Sequence, residues 1–154
     1  FGDVTWSGTG RIAFWSNDAG KEGGRIVSVA DAGGDRRELT TSCPGVDADP
    51  AFSPDGTKIA FRRWTEAKRS DIWVMNADGS GARQLTNADG SQQDPSWSPD
   101  GRRIVYKSAS ALSEQPDIFV GDVATRAVTQ LVESPGFDTA PAWTEGRTSL
   151  MVSV

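Results

Sequence analysis

Aromatic anchors return in this chain at a fixed interval. Trp6, Phe52, Trp97 and Trp143 lie 46, 45 and 46 residues apart. A second string keeps the same beat: RIVSVADAGGDRRELT from Arg25, DIWVMNADGSGARQLT from Asp71 and DIFVGDVATRAVTQLV from Asp117, with starts 46 residues apart. Two independent strings with one period make the chain a repeat array. Such an array buries its core between neighbouring copies rather than inside one of them.

Each copy divides into four short apolar runs separated by Gly, Asp and Pro turns, the mark of strands rather than helices. Strand one ends at Trp6, Phe52, Trp97 or Trp143. Strand two covers Ile12–Phe14, Ile59–Phe61, Ile104–Tyr106 and Leu150–Val152. Strand three covers Ile26–Val29, Ile72–Met75 and Ile118–Val120. Strand four ends at Leu39, Leu85 and Leu131. The Ser-Pro-Asp-Gly strings at 53–56 and 98–101 supply tight turns, because Pro fixes φ, Asp bonds local backbone and Gly takes a left-handed conformation. SGTG replaces this string in the first copy, and the fourth copy stops after strand two. Pro50, Pro95 and Pro141 are expected at the entry of strand one, where a missing donor is tolerated.

A period of about 45 residues with four strands predicts an all-β fold, a β-propeller of four-stranded antiparallel blades. The copies fall at residues 1–46, 47–91, 92–137 and, as a half copy, 138–154. About 3.5 blades are fewer than the roughly four to eight that close a ring. The chain is therefore expected to be part of a larger propeller, or to self-associate to complete one.

Composition narrows the function. The chain has 154 residues, a net charge of -5 and no histidine. The acidic field disfavours nucleic acid, and no apolar run is long enough for a membrane span. Neither a signal peptide nor an initiator Met is present at Phe1, which suggests a processed protein or an excised piece. Without histidine a Ser-His-Asp triad is impossible. Gly79-Ser80-Gly81 belongs to a hairpin turn, and Cys43 has nothing adjacent to lower its pKa. No catalytic residue and no metal-ligand set is assigned, and no cofactor is implied.

Recognition residues are sought in the loops between strands two and three, at Trp15–Gly24, Arg62–Ser70 and Lys107–Pro116. Trp15 and Trp64 open two of these loops. Arg62, Arg63, Trp64, Lys68 and Arg69 form a basic, aromatic-bearing patch on an acidic protein, and Lys107 opens the third loop. Asp47, Asp49, Asp94 and Asp138 are placed just before strand one, where they either cap turns and bond between blades or hold a cation such as Ca²⁺. Gln92 and Ala140 interrupt that acidic pattern. The four repeat aromatics are assigned to inter-blade core.

The strings WSPDG, IAF or IVY, DIWVMNADGSG and QLT resemble the WD40-like Tol-Pal β-propeller repeat of TolB-like proteins, most closely over residues 47–106. The resemblance implies a six- to eight-bladed propeller that is periplasmic or extracellular. It also implies a non-enzymatic scaffold binding a protein or peptide partner. Related repeats serve as the scaffold or gating domain of serine peptidases, which gives a second reading. A carbohydrate- or cation-binding propeller is a third.

Overall fold

The computed structural model describes residues 4–17, 23–41, 45–65, 69–109, 116–132, 139–143 and 150–153. Among them every regular element is a strand. The first unit is the meander β1 (Val4–Ser7), β2 (Arg11–Ser16), β3 (Arg25–Ala30) and β4 (Arg37–Glu38). The second is β5 (Asp47–Phe52), β6 (Lys58–Trp64), β7 (Ser70–Asn76) and β8 (Arg83–Gln84). The third is β9 (Ser91–Trp97), β10 (Arg103–Ala109), β11 (Asp117–Asp122) and β12 (Val128–Val132). A hairpin of β13 (Thr139–Trp143) and β14 (Leu150–Ser153) follows. Pairing within each unit is antiparallel, and a single parallel pair, Ser70 with Ser91, links the second unit to the third.

The turns form as their sequence requires. Gly56 N–H donates to the Ser53 carbonyl (2.8 Å) and Gly101 N–H to that of Ser98 (2.9 Å). Both glycines have φ of 68°, where a side chain would be strained. Ser53 and Ser98 hydroxyls donate to Asp55 and Asp100, each at 2.6 Å. In the first unit Thr9 takes the aspartate's part, with its hydroxyl 2.9 Å from that of Ser7. Strand three is tied down by the Thr of the repeated Leu-Thr pair, since Thr40 and Thr86 hydroxyls accept the N–H of Ile26 (3.0 Å) and Ile72 (2.9 Å).

These turns carry a pH signature. The serine hydroxyls first, then the Thr57 and Arg102 N–H groups, hold Asp55 and Asp100 below the ordinary value of 3.8. A carboxyl lowered in the folded chain contributes stability above its unfolded value and loses it as pH falls through the folded one. Asp71 runs the other way, because burial raises its carboxyl, so its contribution is present in acid and lost as pH rises through its folded value. The denaturation midpoint is expected to fall as pH drops from about 5 to below the ordinary Asp range. A paired Asp55→Ala/Asp100→Ala variant, measured by urea titration at several pH values, should lose part of that slope. An unchanged slope would rule the turns out as its source.

The core lies between units. Phe52, Ile59, Phe61 and Met75 of the second unit pack with Ala13, Ile26 and Leu39 of the first. Trp97, Ile104, Tyr106 and Val123 of the third pack with Ala60, Ile72, Val74 and Leu85 of the second. The Trp97 indole also donates to the Ala51 carbonyl at 3.0 Å. Phe52 and Trp97 therefore belong to the interfaces with their preceding units. Trp6 departs from the expectation of core: it is 64% exposed, beside Val4 at 65%, because no unit precedes its own among the described residues. Trp143 is half-buried, with the Arg103 guanidinium 5.0 Å from its ring centre.

Strand one also starts earlier than the prolines suggest. Pro50 and Pro95 sit inside β5 and β9, where two residues oppose one on strand two and the pairing slips. These are β-bulges, and a proline without an N–H is tolerated there. The residue before each proline, Asp49 or Asp94, is left-handed, with φ of 51° and 53°. Aspartate tolerates this conformation better than most side chains.

Candidate functional site

The candidate residues gather at one end of the sheets, opposite the Ser-Pro-Asp-Gly turns, but they stand on strands rather than loops. Trp15 belongs to β2, Arg62, Arg63 and Trp64 to β6, and Lys107 to β10. Asp47, Asp49 and Asp94 lie within strand one, not ahead of it. The strand-two runs continue past their apolar centres because residues such as Arg62 and Arg63 still pair with Ile72 and Asp71 across the sheet. Arg69 precedes β7. Lys68, Cys43 and Asp138 lie outside the described residues.

The basic patch is paired. Arg63 grips Asp47 through two hydrogen bonds, 2.6 and 2.8 Å, and its guanidinium lies over the rings of Trp73 (4.6 Å) and Phe61 (5.1 Å). Arg62 approaches Asp49 at 2.9 Å as an ion pair, donates to Gln93 Oε1 at 3.0 Å, and stacks 3.6 Å above the Trp64 ring. Lys107 pairs with Asp94. Arg69 donates to the Ala88 carbonyl at 3.0 Å and lies 3.6 Å from Asp89. The Trp15 ring covers Gly24, leaving no room there for a side chain, and the Gly24 carbonyl accepts the Asp47 N–H at 3.0 Å.

These pairs repeat with the chain. Asp94 with Lys107 occupies the register of Asp49 with Arg62, each 45 residues on. The left-handed bulge turns both aspartates toward a cation on the neighbouring strand. Each is thus paired with a cation of the neighbouring strand. Among the described residues no group of three or more His, Cys, Asp or Glu is placed to hold a metal.

In the register of the Asp47–Arg63 pair the third unit carries Gln92 and Ser108, a polar cluster that the sequence reading missed. With its amide nitrogen toward Asp71, Gln92 donates to that carboxylate (2.9 Å) and to the Ser70 carbonyl (3.0 Å). The other end of the amide lies 3.3 Å from the Ser108 hydroxyl, and the Ser70 and Ser91 hydroxyls meet at 2.7 Å. The signal available in the sequence was the paired change, Asp to Gln on one strand and Arg to Ser on its neighbour.

The arrangement is a row of ordered, locally neutral donor and acceptor pairs with an indole at its centre. Such a surface suits recognition, since its charges are held in place before a partner arrives. The family model of PD40, the TolB beta propeller domain, matches residues 4–115. The chain belongs to this family.

Over 33 residues the chain is 58% identical to the Tol-Pal system protein TolB of Anaeromyxobacter dehalogenans, a match covering 21% of this chain and 7% of that protein. A TolB structure from Agrobacterium tumefaciens aligns with a TM-score of 0.73 and 25% identity, over 86% of this chain and 46% of that one. The β-propeller domain of the Trilobed protease from Pyrococcus furiosus, which has an open velcro topology, aligns with a TM-score of 0.67 and 26% identity, over 92% of this chain and 44% of that one. The chain thus spans less than half the length of these relatives. Its antiparallel four-stranded units align with these propeller structures, and no helix among the described residues is long and apolar enough to cross a membrane.

Proposed function

We propose that the chain is a non-enzymatic part of a β-propeller that binds a protein or peptide partner through the strand ends carrying Trp15, Arg62, Trp64, Arg69 and Lys107. The observation that carries this reading is the stacked Arg62–Trp64 pair set within repeated ion pairs, because Trp and Arg are the usual anchors of protein interfaces. The kinship with a Tol-Pal system protein supports a place in the periplasm or outside the cell. The boundaries 1–46, 47–91, 92–137 and 138–154 describe three blades and a half. The exposed Trp6 supports a larger ring, completed by further chain or by a second copy.

A photoreactive residue at Thr65 should cross-link a partner in cells, whereas the same group at Arg102, on the opposite end, should not. Trp64→Ala is expected to abolish the Thr65 adduct. Equal adducts from both ends would refute this assignment. The likeness to the Trilobed protease propeller favours a second reading, a peptidase scaffold whose catalytic part lies elsewhere. A GxSxG segment followed by a histidine in the parent gene would decide for it.

A further inference from the structure

The interface between the second and third blades is not a copy of the one before it. A cleft of about 400 Å³ opens there, lined by Gln84 to Ala88 on one side, Tyr106, and Arg126 and Val128 on the other. Register explains the opening. Met75, which fills the interface between the first two blades, has Gly121 as its counterpart 46 residues later. A Cβ at Gly121 would lie 3.6 Å from Leu85 and 3.7 Å from Tyr106, two residues that line the cleft. Three further differences give the cleft its chemistry. Tyr106 stands in the register of Phe61, Arg126 in that of Ser80 and Val128 in that of Ala82.

Tyr106 is 1% exposed and lines the cleft. Burial first, and then the Asp71 carboxylate, push its pKa up to about 12, so the phenol remains a donor at neutral pH. The Arg126 side chain is exposed and has no carboxylate partner among the described residues. Leu85 and Val128 supply apolar walls, with Val128 47% exposed. The cleft thus offers two donors, one cationic, beside a small apolar space. Its volume falls at the low end of ligand pockets, about 300–1,000 Å³.

We propose that this inter-blade cleft binds a small apolar carboxylic acid, its carboxylate on Arg126 and the Tyr106 hydroxyl and its branched body in the space left by Gly121. This site meets the strand-end surface at Ala88, whose carbonyl accepts from Arg69, and goes beyond the reading given for it.

N-acetyl-leucine is the probe, titrated into the labelled chain and followed by amide NMR shifts. Saturable shifts confined to residues 84–88 and 121–128 are expected, with a dissociation constant on the order of 1 mM for so small a ligand. N-acetyl-leucine amide should bind about tenfold more weakly, for want of the charge-assisted bonds. Gly121→Met should abolish binding, and Arg126→Ser should erase the preference for acid over amide. Each variant restores the residue that the second blade carries in the same register. Should the methionine variant fail to fold, Arg126→Ser and Tyr106→Phe still decide the matter. No saturable shift, or the same affinity in these variants, would overturn the site. Tighter binding of an acetylated hexapeptide ending in leucine, with the same shifts, would overturn the small-ligand assignment.

Discussion

Trp97→Ala should destabilise the chain by about 3–5 kcal/mol, the usual cost of emptying a large aromatic site in a core. Trp97 is 6% exposed, packs between two blades and donates to the Ala51 carbonyl. Trp6 has the same place in the repeat but is 64% exposed, so Trp6→Ala in the isolated chain should change stability by no more than about 0.5 kcal/mol. Urea unfolding of the two variants measures the difference. The experiment also reports on ring completion. If a second copy covers Trp6, light scattering will show a dimer that Trp6→Ala dissociates, and the stability cost will then depend on protein concentration. Equal costs for both variants in a monomer would contradict the place given to Trp6.

Arg63→Ala is the other large effect expected. It leaves Asp47, 3% exposed, as a buried carboxylate without its two guanidinium bonds, a loss of about 3–5 kcal/mol. It also bares the Trp73 and Phe61 rings that the guanidinium covers. The chain itself suggests the repair. The third blade holds Gln92 and Ser108 in this register, so Asp47→Gln/Arg63→Ser should return to within about 1–2 kcal/mol of the parent, since a neutral polar pair avoids the desolvation of two ions. Thermal and urea denaturation of the parent, Asp47→Gln, Arg63→Ser and the double variant gives the coupling directly. A double variant no better than Arg63→Ala alone would show that the bond, not the buried charge, carries the effect.

Much of the architecture was legible because it repeats. The beat of Phe52 and Trp97 located strand one, and Ser-Pro-Asp-Gly located the turn after it. Periodicity was silent on two points. Apolar spacing marks only the buried middle of a strand, so Arg62, Arg63 and Lys107 read as loop although backbone pairing carries strand two through them. A bulge leaves no apolar trace either. Asp49 and Asp94 therefore read as residues ahead of a strand, when the left-handed turn inside it sets them against their cations. Trp6 read as core because a repeat implies a neighbour, whereas among the described residues no unit packs on its face and it is exposed. Gly121 is the reverse case: its meaning was in the sequence, but only as a departure from Met75 once the interface had been seen.

That the apolar clusters lie between the blades makes this chain a ladder of couplings. A single meander has little interior of its own, so its folding free energy is borrowed from the adjacent rung. Among the described residues the first unit is packed on one face and the second on both, so the first is expected to release its amides to solvent before the second.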